Sequence, residues 1–113
     1  MKLACFELMD WEKDYLSEKF GNTLKVSFNS EVLNSESVST ARDAEGIVVF
    51  IYSTVNKQVL DQMPNLKFIA TMSTGFDHID IEECKRRNIT ISTVPTYGEN
   101  TVAEHAFALI FAI

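Results

Sequence analysis

Two cysteines, two prolines and four glycines are all that this 113-residue sequence holds of the residues that most constrain a backbone, and each scarcity excludes something. Cys5 and Cys84 stand far apart with no CxxC spacing, so neither a disulfide framework nor a metal site is indicated, and a reducing, cytoplasmic location is expected. Gly21, Gly46, Gly75 and Gly98 are too widely spaced for GxGxxG or for a P-loop, so the chain carries no phosphate-binding fingerprint. His78 and His105 show no HExxH or HxH spacing. Positive charge is also short: 10 Lys and Arg against 16 Asp and Glu give a net charge of −6. That balance disfavours a nucleic-acid partner, whose phosphates are bound by clustered Lys and Arg. The one basic run, Lys85-Arg86-Arg87, follows directly on Glu82 and Glu83. No apolar run reaches the roughly 20 residues of a membrane span, the longest being Ala106 to Ile113, so no membrane partner is expected. Met1 to Glu7 runs straight into Asp10 and Glu12, without the apolar core and cleavage site of a signal peptide.

What is present is globular: hydrophobic residues make up 46% and charged residues 23%, enough apolar material for one packed unit. Scaling surface with mass, a compact chain of this size would expose roughly 6,300 Å² of an unfolded ~18,600 Å². Short apolar runs alternate with helix-length stretches. Leu3 to Phe6, Leu24 to Phe28, Gly46 to Ile51, Leu66 to Met72 and Ile89 to Val94 read as strands. Asp10 to Phe20, Asn56 to Met63, Asp80 to Arg87 and the stretch from Thr101 read as helices, with a short one near Val38 to Asp43. The pattern predicts an α/β fold with a doubly wound sheet of about five parallel strands. Unbroken runs suit strands buried on both faces, whereas Leu24, Val26 and Phe28 alternate with polar residues as an edge strand does.

Local signals place the helix ends. Asp10 is expected to cap the first helix, with Trp11, Tyr15 and Leu16 on one face and Gly21-Asn22 as its stop. Asp80 with Glu83 resembles a capping box, Asn88 ends that helix, and Pro64 closes the one before it. Asn100, or Thr101 with Glu104, is expected to cap the last helix. That helix is apolar all round after its first turn, so burial on several sides is expected, and it stops without a C-cap. The chain therefore reads as a piece of a longer protein.

In an open α/β sheet, ligands bind outside the carboxyl ends of the strands. Two loops there carry candidate chemistry. Ser73-Thr74-Gly75-Phe76-Asp77 offers backbone N–H groups unhindered at Gly75, a nest for a carboxylate or phosphate oxygen, or else a tight turn with positive φ at Gly75. Pro95 to Asn100 places the Tyr97 ring at the mouth of the last helix, either toward a ligand or as a lid on the core.

At these loops the sequence resembles a family. Ala70-Thr71-Met72-Ser73-Thr74-Gly75-Phe76-Asp77-His78-Ile79-Asp80, followed by Thr93-Val94-Pro95-Thr96-Tyr97-Gly98-Glu99-Asn100-Thr101-Val102-Ala103-Glu104-His105-Ala106, resembles the D-isomer-specific 2-hydroxyacid dehydrogenases, most closely the D-lactate dehydrogenase branch. The resemblance implies a flavodoxin-like substrate domain over residues 1–100 and the start of an interdomain helix over 101–113, leading to a Rossmann NAD domain. It implies that Thr74 and Gly75 hold the substrate carboxylate through backbone N–H groups and that Tyr97 faces the substrate. Phe50, Ile51 and Tyr52 would line the side-chain pocket, with Thr101 and Val102 near the nicotinamide.

The family's glycine-rich loop and its catalytic Arg, Glu and His have no counterpart in these residues, and neither His78 nor His105 inherits a role. The chain alone is expected to be inactive and to bind no NAD, and its parent to be a homo-oligomer that interconverts a 2-keto acid and a D-2-hydroxy acid. Met72 stands where some relatives carry a basic residue, which leaves the particular acid open. A second reading makes the parent a non-catalytic relative that senses metabolites or recruits a partner. A receiver-like module is a third. Glu7 and Asp10 offer it paired acids, but Phe50 to Val55 offers no aspartate to phosphorylate.

Overall fold

A computed structural model describes residues 1–20 and 23–113, so the expected stop at Gly21-Asn22 lies outside the described residues. The strands are β1 (Lys2–Cys5), β2 (Lys25–Phe28), β3 (Gly46–Val49), β4 (Phe68–Thr71) and β5 (Thr90–Ser92). The helices are α1 (Asp10–Phe20), α2 (Lys57–Leu60), α3 (Ile81–Arg86) and α4 (Glu99–Ala112), with a 3₁₀ turn at Val38–Ala41. The strands form one parallel sheet in the order β2-β1-β3-β4-β5, the flavodoxin-like winding, with the half-exposed β2 at an edge as its alternation predicts.

The core follows from the apolar runs. Ala4, Ile47, Val49 and Ile69 from the central strands, with Phe6 just past β1, meet Leu33, Val38, Val59, Leu60 and Ile79 from the connections, all essentially inaccessible to solvent. Leu33 is the anchor of the polar stretch between β2 and β3, where Asn34 Oδ1 accepts the N–H groups of Glu36 and Ser37 at 2.8 and 3.0 Å and turns the chain into the 3₁₀ segment.

Several expected helix ends move. Helix α1 starts at Asp10 instead of being capped by it: Met9 precedes the helix and donates its N–H to Glu12 Oε2 at 2.7 Å, while Asp10 pairs with Lys13. Asp80 does cap α3, accepting from the Glu83 N–H at 3.0 Å, but the box is one-sided. Glu83 turns its carboxylate to Arg86 and Arg87, and the Asp80 N–H goes to the Val55 carbonyl at 2.9 Å. Asn88 stops that helix in the left-handed region at φ 57°, as expected. The helix expected over 56–63 is regular only from Lys57 to Leu60, capped by Asn56.

Arg87 also reaches Asp61 and so ties α3 to the end of α2. Hydrogen bonds from Arg86 and then Arg87 hold the Glu83 carboxyl below its ordinary value of 4.5. A depressed carboxyl stabilises the fold above its unfolded value and loses that contribution as pH falls through the lower folded one. Glu83 itself is largely covered, but Arg86 keeps two-thirds of its side chain in solvent, which screens the pair and keeps the gain small.

The last helix departs from expectation at its start. It begins at Glu99, behind Gly98 with no side-chain cap, so neither Asn100 nor Thr101 with Glu104 caps it. None of its residues is buried. Its 14 residues project from the sheet, which accounts for a radius of gyration of 16.1 Å where a compact chain of this length gives about 13 Å. The exposed surface, 7527 Å², likewise exceeds the roughly 6,300 Å² of a compact chain. No helix among the described residues is long and apolar enough to cross a membrane.

Both thiols lie inside the core. Burial pushes Cys5 up to about 11, and Cys84 also to about 11 with help from the nearby Asp80 charge. Neither cysteine of the native protein should react with an aromatic disulfide reagent at pH 8, and both should react in denaturant. Rapid labelling of either in the native state would mean that β1 or α3 opens far more readily than this core allows.

Candidate functional site

The carboxyl edge of the sheet gathers the loops after β1, β3, β4 and β5, and each is fixed by a side chain that bonds to backbone. After β1, Glu7 turns the chain at φ 61° and sends its side chain across to the loop after β3. Its Oε2 accepts from the N–H groups of Phe50 (2.9 Å) and Ser53 (3.1 Å) and from the Ser53 hydroxyl, and its Oε1 accepts from the Tyr52 N–H (2.9 Å). Buried Ser53 in turn accepts the Leu33 N–H at 2.9 Å. The apolar run predicted as strand to Ile51 therefore leaves the sheet after Val49, because from Phe50 onward its N–H groups turn to a carboxylate.

The loop after β4 is held from beneath. Ser73 Oγ lies 2.8 Å from the Gly75 carbonyl and 2.5 Å from Thr71 Oγ1, which lies 3.3 Å from His78 Nε2. A carbonyl only accepts, so Ser73 donates to Gly75, Thr71 donates to Ser73, and the Thr71 oxygen is left to accept from an Nε2-protonated His78. Thr74 Oγ1 donates to the Val94 carbonyl at 2.7 Å and joins this loop to the one after β5. Within the described residues the backbone N–H groups of Thr74, Gly75 and Phe76 donate no hydrogen bond, and all three residues are exposed. These are donors free for an anion.

Gly75 lies outside the left-handed region, so the alternative of a turn that needs glycine for its φ does not hold. A Cβ there would meet only Asp77 Oδ1, at an ordinary 3.4 Å. The glycine leaves approach to the N–H groups open and relieves no strain.

Between the loops lies a cavity of about 450 Å³ lined by Glu7, Met9, Glu12, Phe50, Met72, Val94 and Tyr97. It brings together Phe50 and Tyr97 of the predicted residues. Tyr52 stands outside its lining, exposed, with its ring edge-on to Phe50 at 6.3 Å. Thr74 is tied to it through Val94 and Gly75 follows outside its lining, while Thr101 and Val102 face solvent on the first turns of α4. Trp11, Tyr15 and Leu16 do share a face, but over a shallow groove with Leu8 and Met72. Sequence reasoning missed Glu7. An acid directly after the apolar run of β1 was the available signal, weighed only as a receiver carboxylate.

A family profile described as "D-isomer specific 2-hydroxyacid dehydrogenase, catalytic domain" matches residues 4–109. The D-lactate dehydrogenase of Escherichia coli (strain K12) is 28% identical over 118 aligned positions, covering 100% of this chain and 35% of that protein. The glyoxylate reductase of Pyrococcus furiosus is 31% identical over 80% of this chain and 29% of its own length. Among solved structures, a D-lactate dehydrogenase from Aquifex aeolicus complexed with NAD and lactic acid superposes with a TM-score of 0.89 at 31% identity, covering 96% of this chain and 32% of that one. The chain thus spans about a third of the length of the relatives it matches.

The open space at Gly75 has a direct consequence. Gly75→Ala should leave unfolding free energy within about 1 kcal/mol of the starting protein, since the backbone conformation suits alanine. Denaturant titration checks this. A loss of several kcal/mol would restore the glycine to a structural role.

Proposed function

Because the chain belongs to the D-isomer-specific 2-hydroxyacid dehydrogenase family, matched over residues 4–109, we propose that it is the substrate-binding part of an NAD-dependent enzyme of the D-lactate dehydrogenase type. In this reading residues 1–100 form the substrate domain and 101–113 begin an interdomain helix. The observation that carries it is the row of free N–H donors at Thr74, Gly75 and Phe76, in a loop that Thr74 ties to Val94 of the cavity that Phe50, Met72 and Tyr97 line. A 2-keto acid places its carboxylate on the donors and its side chain against the apolar wall, and Tyr97 closes the mouth.

NAD supplies the hydride when bound. The residues here fit only its nicotinamide end: Thr101 offers a hydroxyl and Val102 an apolar contact, both exposed, and the chain holds no glycine-rich loop for the pyrophosphate. The proton-transfer groups are assigned to sequence beyond this chain. Its own residues bind, orient and shield.

Two measurements test the reading. Pyruvate added to the labelled 113-residue chain should shift the Thr74, Gly75 and Phe76 amides, with affinity on the order of millimolar for so few contacts, and Gly75→Ala should weaken it. NADH in a calorimeter should show no binding. Pyruvate shifts confined elsewhere would remove the carboxylate assignment, and stoichiometric NADH binding would show the cofactor site misplaced.

The reading also includes a homo-oligomer. Val102, Phe107, Leu109, Ile110 and Phe111 on α4 are all exposed, and Phe107 and Phe111 stack with centroids 6.2 Å apart. Burying a few hundred Å² of such surface is worth several kcal/mol at ~25 cal/mol per Å², before the cost of association. Light scattering on the chain should report a dimer or larger species, and Phe107→Glu with Phe111→Glu should return it to monomer. A monodisperse wild-type monomer at high concentration would exclude association through α4.

A further inference from the structure

We propose that Glu7 is the positioning residue of the cavity: its carboxylate fills the anion nest at the switch point of the sheet and thereby fixes the Phe50 wall against which the substrate side chain rests. The inference rests on the proposed function for its ligand.

The winding order reverses between β1 and β3, because β1 is followed outward by β2 whereas β3 is followed by β4 and β5 on the other side. Open α/β sheets bind anions in the crevice at that point, where backbone N–H groups converge. Here the N–H groups of Phe50, Tyr52 and Ser53 and the Ser53 hydroxyl do converge, and the chain supplies their anion itself. An external carboxylate is left with the free donors at Thr74 to Phe76.

Backbone geometry supports a role for the side chain. Glu7 sits at φ 61°, where glycine or asparagine is at greater ease. A turn that needed only this φ would be served by glycine, so what the position gains from glutamate is the carboxylate. Glutamine is a poor substitute: it brings one acceptor oxygen to donors that now use two, and turns its amide N–H groups toward other N–H groups. The link to the cavity is direct, since Phe50 gives Glu7 its N–H while its ring lines the cavity and packs edge-on to Tyr52.

Amide exchange on the isotopically labelled chain, with Glu7→Gln and Glu7→Ala, tests the assignment alongside titration with pyruvate and with 4-methyl-2-oxopentanoate. In Glu7→Ala the Phe50, Tyr52 and Ser53 amides should exchange about tenfold faster or more, with Glu7→Gln between, while Ile47 and Ile69 in the sheet keep their protection. The affinity ratio between the branched and the short acid should move by roughly threefold as the Phe50 wall loosens, while pyruvate still shifts Thr74 and Gly75. Unchanged exchange at the three amides, faster exchange throughout the sheet, or an unchanged ratio would each overturn the proposal. If Glu7→Ala does not fold, Glu7→Gln carries the same comparison. If the wild-type chain binds neither acid, the proposed function fails, and the exchange pattern alone decides for or against Glu7 as the residue that holds the loop.

Discussion

Parallel pairing of β1 with β3 is the constraint on which the rest of the architecture depends. It places Gly46 against Leu3 so closely that a Cβ on Gly46 would lie 2.6 Å from Leu3 Cδ2. Once the two strands run side by side in one direction, β2 must be added on one flank and β4 and β5 on the other, and the loops after β1, β3, β4 and β5 open onto the same edge. The candidate site is a consequence of that winding. Residues as distant in sequence as Glu7, Phe50, Met72 and Tyr97 share one cavity because their strands share a direction.

What the sequence displayed and what it hid divide by range of interaction. The strands were legible because each is an apolar run in a largely two-face-buried sheet, and the edge position of β2 showed in its alternation. Asp80 and Asn88 were legible because caps are local chemistry. The Glu7 contacts span 43 to 46 positions, and nothing near Glu7 distinguishes a clamp from a solvated acid. Phe50 and Ile51 look like the end of a strand until Glu7 is known to draw their backbone aside. Helix α4 shows a related limit: a fully apolar pattern asks for burial, but what covers the helix is a property of packing, and in this chain its residues are exposed. The strand pattern placed Thr74, Gly75 and Tyr97 at the carboxyl edge, but local sequence favoured a plain turn at Thr74-Gly75 and left Tyr97 about evenly open, and only the likeness to the family pointed to a substrate.

Net charge and local charge point in opposite directions here. The chain carries −6 and, in the proposed reading, binds a carboxylate through residues with no cationic side chain among the cavity's lining. Charges farther away than a Debye length of ~8 Å are screened in physiological salt, so the overall balance matters little at contact distance. What acts there is a set of oriented N–H dipoles. One such set already holds Glu7 and the other is free, a difference that in the proposed reading leaves Thr74, Gly75 and Phe76 to an incoming anion. Glu7 and Glu12 also line the cavity, the latter engaged by the Met9 N–H, and in the same reading they oppose the reversed orientation of the ligand.

Apart from Pro95, the loops that form the site have no proline and no left-handed glycine, and they are held by side chains bonded to backbone. Glu7 holds 50–53, Ser53 holds Leu33, Ser73 holds Gly75, and Thr74 holds Val94. Each such bond adds on the order of 1 kcal/mol, far less than the burial of Phe6 or Ile69 in the core. Stability and site shape are therefore governed by different residues. A core substitution would be felt by the whole sheet, whereas loss of a single hydroxyl or carboxylate at the carboxyl edge would release one loop and leave the sheet intact. The His78–Thr71–Ser73–Gly75 relay is the clearest case, because its donors and acceptors are ordered in only one direction from the imidazole to the Gly75 carbonyl. Orientation of that carbonyl also orients the Phe76 N–H on the other side of the same peptide, so a half-buried histidine outside the cavity sets the aim of a free backbone donor.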